Sequence, residues 1–365
     1  MLFVTSLVLS FILAASLSRF QRNSRVYLTV VSFSYIYSIF FMCLIFLLLK
    51  FNGENGLVFP DESFYVNENS SKLPFSIYVR EIKELFGLDF IRVVNIFVFT
   101  TAFAALTSEI MLKIESNKAR WLVMTFAFLG VIVGGYWSYF ILKEAFSIAA
   151  LSFLLVASLR KSSMYFLGSL VFLGFARPEL FILYVGIVFS FYLKKKNKSL
   201  FYFLVIIFLL GFIYYLNSPY AHTLKLFTLS KRFGELNVSY DAETLSVSDY
   251  NLIPFVLSGA FHQALITNIV STFYPFLDMN PLVILQRIFN ILAMVLFLKC
   301  IRGHLLRDRA FTFLFVILIG LLTTHSVYRY INTLLIPFSI YIIYLNEQKI
   351  RKVGNGKDFN NNTCL

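Results

Sequence analysis

Four polar clusters interrupt an otherwise apolar chain, and their side chains are of kinds that handle phosphate and hydroxyl groups. The first is Asp61-Glu62, between Pro60 and Ser63-Phe64-Tyr65. A carboxylate there can take the proton of an attacking hydroxyl or hold a divalent cation; the plain alternative is an acidic turn after a proline. The second is Lys143-Glu144, which follows Tyr136, Trp137 and Tyr139. These aromatics are expected at the outer membrane–water boundary. Glu144 is expected to open the next helix, where the helix dipole favours a carboxylate, and Lys143 either joins the site or snorkels to water. The third is Ala176-Arg177-Pro178-Glu179, inside the mostly apolar stretch 164–193. Charges at membrane depth are costly and usually line a cavity or pathway, and a proline there frees backbone groups that only protein or cavity water can satisfy. Arg177 and Glu179 therefore read as the wall of a buried polar site, with a structural Arg–Glu pair holding a helical hairpin as the alternative. The fourth runs from Thr324 to Tyr330, between two apolar runs too close together for a true loop, which places His325, Arg329 and Tyr330 at the outer rim or just below it.

These clusters divide by charge. Carboxylates come from an early segment, at Asp61 and Glu62, and cations come from later helix turns, at Lys143, Arg177 and Arg329. Guanidinium groups grip phosphate oxygens bidentately and stabilise charge developing on a leaving group. The combination suits transfer from a substrate that carries a diphosphate. A carboxylate serves as base, and a leaving group that is already good needs no general acid. Asp61, Glu62, Arg177 and Arg329 are the candidate catalytic residues. Tyr65, Lys143, Glu144, Glu179, His325 and Tyr330 are the candidate substrate-binding ones.

Such residues must be positioned by membrane helices. The chain of 365 residues is 59% hydrophobic and 14% charged, with 44 Phe and 21 Tyr. That composition excludes an ordinary soluble domain and predicts an all-α, polytopic transmembrane bundle. Apolar segments fall near 1–18, 27–49, 93–112, 121–140, 145–159, 164–176, 179–193, 199–216, 282–298, 311–325 and 331–345, with an amphipathic stretch near 252–277. The stretch 164–193 is too long for one span of about 20 residues and too short for two, and so reads as a short broken hairpin. With the N-terminus outside, the inward connections collect 20 of the 32 Lys and Arg residues but five of the 19 Asp and Glu. Basic residues stay inside, so the expected topology is about 11 segments, N-out and C-in. The net charge of +13 thus tracks topology and does not call for a nucleic-acid partner. Residues 1–348 are expected to form a single membrane domain with outer loops 50–92 and 217–281, followed by a disordered cytoplasmic tail, 349–365. Cys43, Cys300 and Cys364 have no metal-site or disulfide spacing. The first segment has no basic n-region and no small-residue cleavage site, so it reads as a span and not as a signal peptide.

The layout resembles the bacterial polysaccharide polymerases of the Wzy and EpsG kind and, more distantly, the GT-C class of polyprenyl-linked glycosyltransferases. The resemblance is carried by the short first helix with basic residues after it and by Asp61-Glu62-Ser63-Phe64-Tyr65 following the second. It extends to the charged pair opening a small-residue helix, Leu142-Lys143-Glu144-Ala145-Phe146-Ser147-Ile148-Ala149, to the Ala176-Arg177-Pro178-Glu179 turn, and to Arg329-Tyr330 with Pro337. EpsG-like chains often carry Arg-Gln where this chain has Lys143-Glu144, which is a departure. The resemblance implies a membrane glycosyltransferase of the bacterial inner membrane, with its site facing the periplasm. It would join oligosaccharide repeat units carried on undecaprenyl diphosphate into O-antigen or capsule. Arg177 and Arg329 would bind diphosphate or glycan, and Asp61 or Glu62 would act as base. The implied partners are the lipid-linked oligosaccharide, membrane lipid and a chain-length regulator protein; no cofactor is indicated by the residues, and dependence on a divalent metal is left open by them.

Three other readings share much of this layout. A single-addition GT-C transferase would use a polyprenyl-phosphate sugar, and an O-antigen ligase would use the same donor with a different acceptor. A flippase or exporter of lipid-linked glycan would need polar groups on both sides of the membrane midplane and often shows repeated halves. This chain shows no such repeat, and its polar clusters lie on one face.

Overall fold

The apolar segments between residues 1 and 176 fold as helices, each reaching within a few residues of the bounds expected from sequence. The computed structural model describes residues 2–52, 66, 74–176, 281–301, 305 and 328–354, with isolated helical positions at 199, 203, 206, 207 and 210. The chain divides into two compact units, one of residues 1–178, 278–318 and 329–365 and the other of 179–277 and 319–328. Nearly all described residues belong to the first.

In chain order the helices are α1 (Leu2–Ser16), α2 (Ser24–Asn52), α3 (Pro74–Phe86), α4 (Leu88–Lys113), α5 (Asn117–Tyr139), α6 (Glu144–Arg160), α7 (Ser163–Ala176), α8 (Pro281–Cys300) and α9 (Tyr328–Gly354). No strand occurs among the described residues. Among the described residues, four stretches are long and apolar enough to cross a membrane: Phe3–Phe20, Ser24–Ile45, Leu88–Lys113 and Asn117–Tyr139. The apolar α7 is shorter. The protein is therefore a membrane-embedded helical protein. The expected segments 179–193 and 311–325 lie outside the described residues, as does most of 199–216.

Local chemistry sets the helix ends. The Asn23 side chain accepts from the Val26 N–H at 3.3 Å and starts α2, and the Ser116 hydroxyl accepts from the Ala119 N–H to start α5. A 3-10 turn, Leu17–Phe20, carries the chain from α1 towards α2. Gly87, at φ 82°, turns the chain from α3 into α4; glycine adopts this left-handed backbone without a steric penalty. Lys161, at φ 55°, ends α6, and the Ser162 N–H returns to the Ala157 carbonyl, so α6 and α7 form a tight hairpin. Helix α7 is described as far as Ala176, and Arg177-Pro178 lie outside the described residues.

Helix α4 is the centre of the bundle. It packs on α1, α2, α3, α5 and α6 and is buried along most of Ile91–Ile110. A helix enclosed on all sides has little lipid-facing surface, so it can carry Asn95, Thr107, Ser108 and Glu109 inside the protein. Helix α5 meets it through glycines. A Cβ on Gly134 would strike the Phe99 ring, and one on Gly130 would strike Phe103 and Ile336. Phe99 and Phe103 stack with centroids 5.6 Å apart in the space these glycines leave, the close approach that small residues four apart allow in membrane helices. Helices α1, α2 and α7 turn apolar side chains outwards, including Leu9, Ile12, Ile36, Phe40, Met164 and Val171.

The structure departs from the sequence reading in three places. The expected outer loop 50–92 contains the amphipathic helix α3, which buries Phe75, Ser76 and Val79, and α4 begins at Leu88 so that Arg92 lies within it. The polar tail expected from residue 349 is still helical to Gly354, because Arg351 reaches Glu115 at 2.8 Å and the Lys113 carbonyl at 3.1 Å. Glu347, on the same helix, accepts from the Ser116 N–H at 3.1 Å. Tyr136, Trp137 and Tyr139 do not form a belt at the membrane boundary. All three are buried, with Trp137 at 1% exposure, because α5 turns them onto Phe41 of α2 and onto Phe140.

Candidate functional site

The helix heads opposite the basic connections converge on the α5–α6 turn. Asn95 is wholly buried near the start of α4. Its side-chain amide donates to the Phe140 carbonyl at 2.9 Å and to the Leu142 carbonyl at 3.4 Å. The Leu142 N–H also closes on the Phe140 carbonyl at 2.9 Å. These bonds fix residues 140–142 against α4 and so set where Lys143 and Glu144 emerge. Glu144 is the first residue of α6 and is wholly buried, while Lys143 is half-buried at the N-cap. A carboxylate in the first helical turn is favoured by the exposed N–H groups and dipole there, as expected from sequence.

One turn before Asn95, Arg92 lies at the same end. Its guanidinium sits 5.3 Å from the Tyr139 ring centroid and 3.0 Å from the Asp89 carboxylate. The Arg92 side chain is only 12% exposed whereas Asp89 is 60% exposed, so the ring and the carboxylate hold a cation largely out of water. An aromatic wall closes the far side. Phe75 and Tyr78 of α3 pack on Phe146 of α6 and Phe175 of α7, and Phe146 meets Phe175 at 4.9 Å. Burial among these rings pushes the Tyr78 phenol pKa up. The wall ties the end of α7 to the head of α6, close in sequence to Glu144 on one side and to Arg177 on the other.

Among the residues named from sequence, the structure thus brings Lys143 and Glu144 to this end. Arg329 and Tyr330 lie in the first turn of α9. Asp61, Glu62, Tyr65, Arg177, Glu179 and His325 lie outside the described residues. Sequence reading passed over Arg92 and Asn95. Their signal is an Arg and an Asn three residues apart in Ile91-Arg92-Val93-Val94-Asn95-Ile96. A hydropathy span starting near 93 leaves the arginine in a loop, and no local pattern singles out the asparagine.

The opposite end is built around Glu109, which is 1% exposed and receives Arg160 Nε at 2.7 Å. Arg160 also donates to the Tyr165 hydroxyl at 3.0 Å and to the Gln21 side-chain carbonyl at 2.9 Å. This is a structural tie joining the α1–α2 connection, α4, α6 and α7. No group of three or more His, Cys, Asp or Glu side chains with metal-binding geometry occurs among the described residues.

Comparison of the chain with protein-family models, with curated proteins and with solved structures finds no match.

Proposed function

We propose that this protein is a membrane glycosyltransferase that joins lipid-linked oligosaccharide repeat units into a surface polysaccharide at the outer face of a bacterial inner membrane. The observation that carries the reading is Glu144. It is a wholly buried carboxylate at the head of a membrane helix, beside Lys143 and on the turn held by Asn95. Ionisable groups placed at such cost inside a membrane protein usually serve a substrate or ion path. Lys143 and Arg92 add positive charge at the same end, where a diphosphate would leave. The candidate base, Asp61 or Glu62, and the candidate phosphate ligands Arg177 and Arg329 come from the sequence pattern and its resemblance to Wzy- and EpsG-like polymerases. In this reading the basic connections face the cytoplasm, and the end with Arg92, Asn95 and Glu144 faces out. A growing glycan leaves its polyprenyl diphosphate and is taken up by a hydroxyl of the next unit, whose proton passes to the carboxylate.

The test is a surface-glycan gel from a strain lacking the gene, complemented with wild type, Arg177→Ala, Asp61→Asn or Glu144→Gln at matched protein levels. The expected result is single repeat units in the deletion, a ladder with wild type, and no ladder with the variants. Loss of even the single unit in the deletion strain would move the work upstream, to unit assembly or flipping, and overturn the polymerase reading.

A further inference from the structure

We propose that Arg22 and Lys113 hold the phosphate of an anionic phospholipid at the basic end of the bundle. The Glu109 carboxylate is shared among three cations: Arg160 Nε at 2.7 Å, Arg22 Nη1 at 3.8 Å and Lys113 Nζ at 4.0 Å. Arg160 is committed, since its other donors go to Tyr165 and Gln21. Arg22 and Lys113 approach the remaining carboxylate oxygen, Oε1, without coming within hydrogen-bonding distance of it. One carboxylate against three cations leaves two positive charges on the rim. The two outer cations are the accessible ones, with side chains 63% and 31% exposed, whereas Arg160 is 10% exposed. A phosphodiester bridging Arg22 and Lys113 would complete the charge balance that Glu109 alone does not.

Two further features select a lipid over free phosphate. Phe20 and Leu112 stand just before Arg22 and Lys113 in the chain and are themselves exposed, at 75% and 46%. An acyl chain gains contact on them, and a free phosphate does not. The cations also end membrane-crossing segments, at the level where anionic headgroups lie and attract Lys and Arg. The site does not depend on the glycosyltransferase reading.

The experiment uses the full chain in nanodiscs of phosphatidylcholine with and without phosphatidylglycerol, with bound lipid read by native mass spectrometry. Wild type is expected to retain phosphatidylglycerol in preference to phosphatidylcholine. Arg22→Gln with Lys113→Gln is expected to weaken that retention by about 25-fold, at roughly fivefold per cation near a membrane surface. Lys118→Gln removes one charge from an exposed residue at the same end but outside the cluster, and is expected to change retention by no more than the roughly fivefold of a single surface cation. Equal loss in Lys118→Gln, or full retention in the double variant, would overturn the site. So would a rise in melting temperature with inorganic phosphate equal to that with phosphatidylglycerol, since free phosphate would then suffice to fill the site. Should the double variant melt early in phosphatidylcholine, Arg22→Lys keeps the charge and is expected to keep the lipid; its loss there would likewise count against the proposal.

Discussion

Arg160 and Glu109 meet at 2.7 Å across 51 positions of sequence, joining the last residue of α6 to the basic end of α4. The contact is almost closed to solvent, with side chains 10% and 1% exposed. Removing one partner of such a pair leaves a buried charge uncompensated, which costs about 3–5 kcal/mol, whereas replacing both with apolar groups is often close to neutral. Glu109→Leu is therefore expected to lower the melting temperature in detergent sharply, and Glu109→Leu with Arg160→Met to recover most of the loss. Equal melting of the single and double variants would mean that the two do not act as a unit.

The glycines of α5 make a second, steric prediction. Gly134→Val places atoms where the Phe99 ring lies, and overpacking of this kind costs about 1–3 kcal/mol. Gly168→Ala in α7 is the contrasting case. Among the described residues its new Cβ would meet the Phe153 ring, at 3.5 and 4.0 Å, an ordinary contact, and alanine favours helix over glycine. The expected order of melting temperatures is Gly134→Val lowest, with Gly168→Ala level with wild type or above it.

Asn95 couples fold to site. Asn95→Leu removes the donor to the Leu142 carbonyl and leaves a buried acceptor short of a partner, a loss of about 1–3 kcal/mol. The same change frees the turn that positions Lys143 and Glu144. The expected outcome is a moderate fall in melting temperature together with a loss of glycan ladder larger than the fall in folded protein explains. A loss strictly in proportion to folded protein would leave Asn95 as a packing residue only.

What could be read in advance followed from hydropathy and charge. The apolar runs located α1, α2, α4, α5, α6 and α7 closely, because a membrane helix must be apolar for its length. The charge pair Lys143-Glu144 was visible because it punctuates such a run. Helix α3 was harder to read. Its buried Phe75, Ser76 and Val79 alternate with Ile77, Arg80 and Glu81, and its stability comes from docking on α4 and α7, not from hydropathy. Arg92 escaped for a related reason. Its low exposure depends on Tyr139, 47 positions away, and no local pattern announces that partner. The burial of Trp137 has no local signal, because an aromatic near a span end fits a lipid boundary as well as a protein core. Only the packing of α5 on α2 decides between them.

Tyr78 carries a pH prediction. Burial raises its phenol pKa above the ordinary value of 10.0, so folding favours the neutral form. Stability from this group is complete below the unfolded pKa and declines as pH rises past it. The Tyr78 hydroxyl has no hydrogen-bond partner among the described residues, whereas its ring packs on Phe75, Phe146 and Phe175. Tyr78→Phe keeps the ring, so melting at neutral pH is expected to stay level or rise. Between about pH 9.5 and 11, where free tyrosine ionises, the variant is expected to lose less stability than wild type. Parallel curves over that range would show that the phenol is not shielded from solvent.

Glu144 offers the sharpest separation between a site and a scaffold. The Gln side chain matches Glu in shape and removes only the charge. Were the carboxylate merely structural, Glu144→Gln would reduce glycan output only as far as it reduces folded protein, and Glu144→Asp would do similar harm by withdrawing the group. As a site residue, Glu144 is expected to behave differently. Glu144→Gln should give folded protein at near-normal levels with the ladder reduced by a factor of about 10 to 100, the scale of a lost hydrogen bond to a charged group. Glu144→Asp, which keeps the charge but shortens the reach, should retain measurable ladder. Comparison of ladder intensity per folded molecule across the two variants distinguishes charge from shape at the head of α6.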